Sequence, residues 1–239
     1  IDLTGKTFES FLGFNYYTGI VIGFGIVILY IFSGGFLAVA WSDFFQGMLM
    51  FIGLVALPIA AFTFIPSMSA LYTGLETIDP ALINIWGAGG MTLLNFITVL
   101  GFISIGIGFL GSPQVYVRFI AVKNEKELDK GKWVAIIYTF ITDVSAVMIG
   151  ILGRYLLTKV GQDVETILGV GGEHVLSMLL DIAMPAFIIG VYIAAVLSAV
   201  MSTVDSLLIV ASSAVTHDFY QKIFHSEMKD SELTKLSRI

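Results

Sequence analysis

The sequence contains no cysteine, which excludes disulfide bonds and thiolate metal sites as sources of stability or chemistry. Charge is also scarce: only 13% of the 239 residues are Asp, Glu, Lys or Arg, whereas 57% are hydrophobic. Soluble domains carry about 25% charged residues, so a large soluble domain is excluded. The composition therefore indicates a membrane protein, in agreement with the mean hydropathy of +0.93.

Uncharged stretches of twenty or more residues recur along the chain, as in residues 18–40 and 91–117. A helix of about 20 apolar residues, rising about 1.5 Å per residue, crosses the hydrocarbon core of a bilayer. Helices are expected because lipid cannot satisfy exposed backbone groups and the stretches are too long for barrel strands. We predict an all-α membrane protein with about five spans, at residues 18–40, 44–66, 91–117, 133–153 and 182–216.

The distribution of basic residues predicts the orientation of the chain. Nine of them lie between the third and fourth spans or after the fifth: Arg118, Lys123, Lys126, Lys130, Lys132, Lys222, Lys229, Lys235 and Arg238. Only Lys6, Arg154 and Lys159 lie on the other side. Cytoplasmic loops retain basic residues, so residues 1–16 are predicted to be extracellular and residues 217–239 to be a cytoplasmic connector in a plasma-membrane protein. The first residues look like the interior of a longer gene product, so we expect a fragment.

A glycine motif lies within the third span. Gly106, Gly108 and Gly111 spell GxGxxG, but a dinucleotide-binding fingerprint requires a strand, a turn and a helix, not a hydrophobic span. Close helix packing through small residues is one alternative. Because Ser112 and Pro113 follow, we favour a helix that breaks within the membrane and frees backbone groups to bind a solute.

Carboxylates within or beside the spans are the main functional signal. Asp205 lies in the fifth span, Asp143 in the fourth and Asp43 at the start of the second. Each charge at the bilayer centre costs at least about 2.5–3.5 kcal/mol. Because no Lys or Arg lies within the spans as a partner, a bound cation, a proton or hydroxyl groups must compensate, and we infer a cation pathway. For Asp143 we favour a buried neutral carboxyl over a local charged site.

The fifth span places several oxygen atoms on one helical face. At spacings of three and four residues it carries Ser198, Ser202, Asp205 and Ser206. Such oxygens suit a hard monovalent cation. The alternative is that hydroxyls bond back to carbonyls one turn earlier, which we expect for Ser212 and Ser213 but not for Ser202 or Thr203.

Three stretches resemble the sodium:solute symporter family, and within it the sodium/proline symporters. AVMSTVDSLLIVASSAVTHDFY is similar to the family's signature helix, ILYIFSGGFLAVAWSDFFQGMLM to its paired helices joined by a Gly-Gly turn, and GFLGSPQVYVRFIAV to its broken helix. The resemblance implies the inverted-repeat transporter fold of the LeuT type. This chain would hold a part of it, the last two helices of the first repeat and the first three of the second.

The resemblance also implies a set of binding residues. Ser202 and Thr203 match hydroxyl ligands of sodium, and Ala199 matches a backbone-carbonyl ligand. In some members a second sodium is held by residues that align with Asp43, Asp205 and Ser206. These six residues form the expected ion sites.

Ile105, Gly108 and Phe109 are expected to line the solute site. The proline transporters of the family carry Trp at the position of Ile105, and Tyr and Gln where this chain has Phe109 and Ser112. The solute implied is therefore an amino acid such as proline, with a carboxylate or a vitamin as alternatives.

The function implied is secondary active transport, in which inward sodium flux drives uptake of a small organic solute. The expected partners are the solute, sodium and the lipid bilayer, with no cofactor and no nucleic acid. No nucleophile paired with a base indicates an enzyme. The alternative is the membrane sensor region of a signalling protein, because some sensor kinases resemble this family.

Overall fold

The structure, a computed structural model, describes residues 2–109 and 111–223. Every regular element within these residues is helical, as predicted. The helices are α1 (Asp2–Leu12), α2 (Tyr16–Phe62), α3 (Met68–Ile78), α4 (Leu93–Phe109), α5 (Pro113–Ile120), α6 (Glu125–Leu157), α7 (Val164–Leu168), α8 (Val175–Ala183) and α9 (Ala186–Ser213). Single 3₁₀ turns cover Pro80–Ile83 and Val170–Gly172, and a π-helical segment, Ala214–Gln221, continues α9. The predicted connector lies outside the described residues beyond Ile223.

Apolar helix is present in each of the five predicted spans, but the helical segments differ in length. Three stretches are long and apolar enough to cross a bilayer: Ile31–Phe62, Glu125–Leu157 and Ala186–Gln221. Tyr16–Leu29 and Leu93–Phe109 are apolar but shorter. At about 1.5 Å per residue, 14 residues reach only about 21 Å, less than the hydrocarbon thickness.

The structure has no helix break at residues 41–43, where the boundary between the first two spans was predicted. Helix α2 runs through these residues, and its break lies at Gly35, with φ 59° and ψ −149°. Residues 41–43 include no helix breaker, whereas glycine adopts positive φ without steric cost. The Gly-Gly turn implied by the family resemblance therefore lies at the break.

The predicted break in the third span is confirmed. Helix α4 ends at Phe109 and α5 begins at Pro113. Proline suits the first turn of a helix because its missing N–H would have no partner there. Gly106 and Gly108 remain within α4, so only the second part of the glycine motif contributes to the break.

The fifth span begins later than the predicted residue 182. Helix α8 ends at Ala183, Met184 is extended with φ −128° and ψ 144°, and α9 starts after Pro185. A residue before proline is driven out of helical geometry by the proline ring. Two connections between predicted spans also contain helices. Helix α3 lies in the connection before α4, and helices α7 and α8 lie in the connection before α9.

The described residues form two compact units. The first comprises residues 1–50 and 191–239, as far as they are described, and in it α1 lies against the start of α2. A methyl group on Gly19 would lie 2.5 Å from Cβ of Phe8, and one on Gly23 would overlap Thr4. This GxxxG spacing lets two helix backbones approach closely, as small residues do in membrane proteins.

The second unit comprises residues 51–190. Helix α6 packs against α8 and α3. Glycines again allow close contact, with Gly153 against Val175 and Gly74 against Tyr155. The fully buried leucines of this unit are Leu57, Leu152, Leu179 and Leu180. In this core α6 is packed together with α3 and α8.

We expect Gly23→Ala to destabilise the protein by about 1–3 kcal/mol, because the added methyl group overpacks the contact with Thr4. Gly25→Ala is the matched control, since a methyl group there meets nothing within 4 Å and favours the helix by up to about 1 kcal/mol. Unfolding in mixed micelles with increasing dodecyl sulfate measures the difference. Equal stability of the two variants would contradict the close packing of α1 on α2.

Candidate functional site

The polar face predicted for α9 is present in the first unit. Asp205 is 0% exposed and Ser206 is 7% exposed, while Ser198 and Ser202 are half-buried. Thr203 differs from them because it is exposed. The helix therefore turns a carboxylate and three hydroxyls inward, and Thr203 lies beside that face.

Apolar side chains occupy the side of α9 next to this face. Met201 and Val204 of α9 line a small cavity together with Thr4, Ile20, Gly23, Phe24 and Val27. Around Met201 and Val204, α9 thus lies beside the part of α2 that precedes the break at Gly35. A carboxylate removed from water in such surroundings requires hydrogen bonds or a cation to remain charged.

The hydroxyls of α9 donate hydrogen bonds to carbonyls of the preceding turn. Ser202 Oγ and Thr203 Oγ1 both donate to the carbonyl oxygen of Ala199, at 3.0 and 3.3 Å. Ser206 Oγ donates to the carbonyl oxygen of Ser202 at 2.7 Å. These hydrogen bonds are the alternative to cation coordination. Ser202 and Thr203 adopt them, although we expected both residues to coordinate a cation instead.

Back-bonding leaves part of the coordinating capacity in place. A hydroxyl has one donor and two acceptor lone pairs, so the oxygens of Ser202 and Thr203 retain lone pairs that a cation would accept. The Ala199 carbonyl is different because it already receives two hydroxyl protons. A cation that takes this carbonyl as a ligand would have to displace at least one of them.

Asp43 belongs to the same unit, on the segment of α2 that follows Gly35. Oδ1 of Asp43 is buried, as is Oδ1 of Asp205. One turn after Asp43, Oε1 of Gln46 is also buried, and within the described residues it has no hydrogen-bond partner. Sequence reasoning missed Gln46, although its spacing of three residues from Asp43 places both on one face.

The available ligands define the kind of ion that would fit. Among the described residues there is no cluster of three or more His, Asp or Glu side chains. A divalent or transition-metal site normally needs several such groups. Hydroxyl, amide and carbonyl oxygens with one or two carboxylates suit a singly charged hard cation better.

The predicted solute residues lie on α4, in the second unit. Ile105 and Phe109 are 67% and 61% exposed, and Gly108 has open space where a side chain would project. The turn at the break uses the nearby carbonyls: Gly111 N–H donates to Gly108 at 3.1 Å, and Ser112 Oγ donates to Phe109 at 2.6 Å. The end of α4 is thus an exposed apolar surface next to backbone carbonyls that accept hydrogen bonds from the turn.

The start of α4 is held by a side-chain amide. Nδ2 of Asn95 donates to the carbonyl oxygens of Ala88 and Gly90, at 3.1 and 2.7 Å. Thr92 Oγ1 accepts from the Asn95 N–H at 3.2 Å and so caps the helix. These bonds tie α4 to a connection in which Gly87, Gly89 and Gly90 adopt positive φ.

The expectation for Asp143 is wrong in one respect. Asp143 is exposed on α6, whereas its neighbours Thr142 and Ser145 are buried. The hydroxyl of Thr142 is bonded to carbonyls of its own helix, at 2.9 and 3.0 Å from those of Tyr138 and Thr139. The polar side of α6 therefore buries hydroxyls instead of the carboxyl.

The sequence model of the sodium:solute symporter family matches residues 3–239, almost the whole chain. The chain belongs to this family. Together with the apolar helices, this membership identifies a multi-pass membrane protein and a transporter family, not an enzyme.

Proteins similar to this chain include bacterial proline transporters. The osmoregulated proline transporter OpuE of Bacillus subtilis is 32% identical over 98% of the chain, and the high-affinity proline transporter PutP of the same organism is 33% identical over 98%. Sodium/proline symporter 2 of Staphylococcus saprophyticus is 36% identical over 92%. The chain spans only 46%, 48% and 41% of these relatives, respectively, or about half of their length.

We expect Asn95→Ala to loosen the start of α4, because it removes two hydrogen bonds worth together about 2 kcal/mol. Faster backbone hydrogen exchange across residues 87–95, followed by mass spectrometry, measures this. Thr98→Ala is the control, because the Thr98 hydroxyl bonds only to the Leu94 carbonyl of its own helix. Unchanged exchange in Asn95→Ala would show that the amide does not anchor the helix.

Proposed function

We propose that this chain is part of a secondary active transporter that couples inward sodium flux to uptake of a small organic solute such as proline or a related amino acid. Its membership of the sodium:solute symporter family supports sodium coupling. The observation that carries the proposal is Asp205, which is 0% exposed on an apolar helix whose same face bears serine hydroxyls.

In this proposal a first sodium ion is held by α9. Its ligands are the hydroxyl oxygens of Ser202 and Thr203 and the carbonyl oxygen of Ala199. The bonds from both hydroxyls to Ala199 already gather these three oxygens within one helical turn. Sodium would replace the hydroxyl protons at the carbonyl, and the hydroxyls would reorient to present lone pairs.

A second sodium ion is proposed between α2 and α9, with ligands from Asp43, Asp205 and Ser206. The buried Oδ1 atoms of both carboxylates support this assignment. Gln46 extends it, because its buried amide oxygen, which accepts no hydrogen bond among the described residues, lies on the Asp43 face of α2. A cation bound there would satisfy the amide oxygen and offset the cost of the carboxylates.

The solute is proposed to contact Ile105, Gly108 and Phe109. The printed names of the similar proteins specify proline for those proteins. Ile105 replaces the aromatic residue that proline transporters of this family carry, which alters the shape and stacking of an apolar site. Another amino acid, a carboxylate or a vitamin is therefore included in the solutes to be tested.

The proposed architecture is the inverted-repeat fold of the LeuT type, of which this chain supplies five membrane helices. Residues 1–16 are assigned to the outside of the plasma membrane and residues 217–239 to the cytoplasm, because basic residues concentrate on the second side. The breaks at Gly35 and before Pro113 support discontinuous membrane helices, a feature of such folds.

Transport would proceed by alternating access. Bound sodium stabilises the outward-open arrangement with its solute site formed, and its release to the cytoplasm lets the inward-facing state prevail. One charge crossing 100 mV provides about 2.3 kcal/mol. Because a tenfold concentration ratio requires about 1.4 kcal/mol, a single ion supports more than tenfold accumulation.

Sodium-dependent uptake of labelled amino acids and carboxylic acids by the full-length protein tests the ion sites. We expect Ser202→Ala, Thr203→Ala and Asp43→Asn each to raise the sodium concentration for half-maximal uptake by about tenfold or more, since a ligand worth about 1.4 kcal/mol is lost.

The control variants are Ser213→Ala and Asp218→Asn, which remove an exposed hydroxyl and an exposed carboxylate. Both should retain the sodium dependence of the wild type. If the three site variants also retain it, the assigned ion ligands are wrong.

Gln46→Met tests the additional ligand, because methionine keeps the length of the side chain and removes its amide oxygen. We expect a weaker sodium response, in the same direction as in Asp43→Asn. The matched control is Gln162→Met, because that amide accepts a bond from the Lys159 N–H in an exposed connection. A wild-type sodium response in Gln46→Met would remove Gln46 from the site.

A further inference from the structure

The second unit encloses a cavity of about 750 Å³ that is open on one side. Its wall is formed by α6, α7, α8 and the glycine-containing turn before α8, with contributions from α3 and the first 3₁₀ turn. Most of the wall is apolar, including Leu75, Ile149, Leu168, Val175 and Leu176. Neither the proposed sodium ligands nor Ile105, Gly108 and Phe109 line it, so it is separate from the sites above.

One cation lies in this wall. Arg154 is in the last turn of α6, and its Nη1 atom is buried without a hydrogen-bond partner among the described residues. A cation near a helix C-terminus interacts favourably with the helix dipole, which accounts for an arginine in the last turn. It does not account for the buried donor, because a buried polar group without a hydrogen-bond partner is destabilising, and more so when it is charged.

An anionic ligand would remove this cost. A guanidinium binds a carboxylate through parallel N–H···O bonds, which are stronger than bonds between neutral groups. The apolar wall would hold a hydrocarbon body beside the carboxylate. Among the described residues of the wall, Glu165 is the one acidic residue. Its negative charge disfavours a second negative charge on the ligand.

We propose that this cavity binds a small monocarboxylate with an apolar body, and that Arg154 is the residue that recognises the carboxylate. The site is additional to the transport sites and does not depend on sodium. Ligands of this class include amino acids and short branched fatty acids, which share the carboxylate and differ in the ammonium group.

Gly150 offers a position from which a side chain can enter the cavity. Gly150 lies in the wall, and a Cβ atom there would meet nothing within 4 Å. Gly150→Leu therefore blocks the space and leaves Arg154 in place. Gly131→Leu is the matched control, because Gly131 is on the same helix, has equally open space and lies outside the wall.

Calorimetric titration of the purified full-length protein in sodium-free buffer tests the proposal with isovalerate and isovaleramide, which have the same shape and differ in charge. We expect saturable binding of isovalerate and at least about tenfold weaker binding of the amide, because the charge-assisted bonds are lost. L-leucine in a parallel titration shows whether an added ammonium group is accepted.

The variants assign the binding to this cavity. Arg154→Gln should weaken isovalerate binding by about tenfold or more, and Arg154→Lys should retain part of it, since the charge remains. Gly150→Leu should abolish binding, while Gly131→Leu and Lys159→Gln should match the wild type.

The proposal is overturned if isovalerate does not bind, if acid and amide bind equally, or if binding survives in Gly150→Leu. The last result would place the ligand elsewhere in the protein. Should Arg154→Gln fail to fold, Arg154→Lys and Gly150→Leu still decide the outcome. Because sodium is absent throughout, failure here leaves sodium-coupled uptake untouched, and failure of the uptake proposal leaves this site standing.

Discussion

Burial of the Asp205 carboxyl group within an apolar helix is the constraint on which the rest of the proposed site depends. The side chain is 0% exposed, and a charge in the centre of a bilayer costs at least about 2.5–3.5 kcal/mol. The surrounding protein must therefore supply hydrogen-bond donors, a proton or a cation to compensate it. The serine hydroxyls of α9 are donors of this kind, whereas the buried oxygens of Asp43 and Gln46 in the same unit are acceptors that a shared cation would satisfy.

Glycines allow close packing of helices in both units. Gly19 and Gly23 bring α2 against α1, and Gly153 brings α6 against α8. Other glycines have open space beside them: Gly108 lies in the last turn of the exposed helix α4, and Gly150 borders a cavity. The same residue type thus closes one contact and leaves space at another, depending on what the neighbouring helix presents.

Hydroxyl groups in α9 have two roles that compete. Donation to carbonyls of the preceding turn satisfies a hydroxyl in lipid, and Ser202, Thr203 and Ser206 all do this. Coordination of a cation uses the lone pairs of the hydroxyl oxygen. The hydroxyl proton can then still be donated to a backbone carbonyl that is not itself a ligand of the cation. At the Ala199 carbonyl the two roles exclude each other in part, because two hydroxyls share this one acceptor. This competition would give the proposed sodium site a physical basis for releasing its ion.

Local sequence determined the features whose physics is local. Long uncharged runs predicted the apolar helices, Pro113 with its glycines predicted the break after α4, and the serine spacing predicted one polar face on α9. Other boundaries were misjudged where a single residue decides the backbone, as at Gly35 and at Met184 before Pro185. Tertiary structure alone decided which groups lose contact with water: Asp143 is exposed, whereas Gln46 and Arg154 bury polar atoms. Burial depends on helices distant in sequence, and a periodic pattern along one helix carries no information about them.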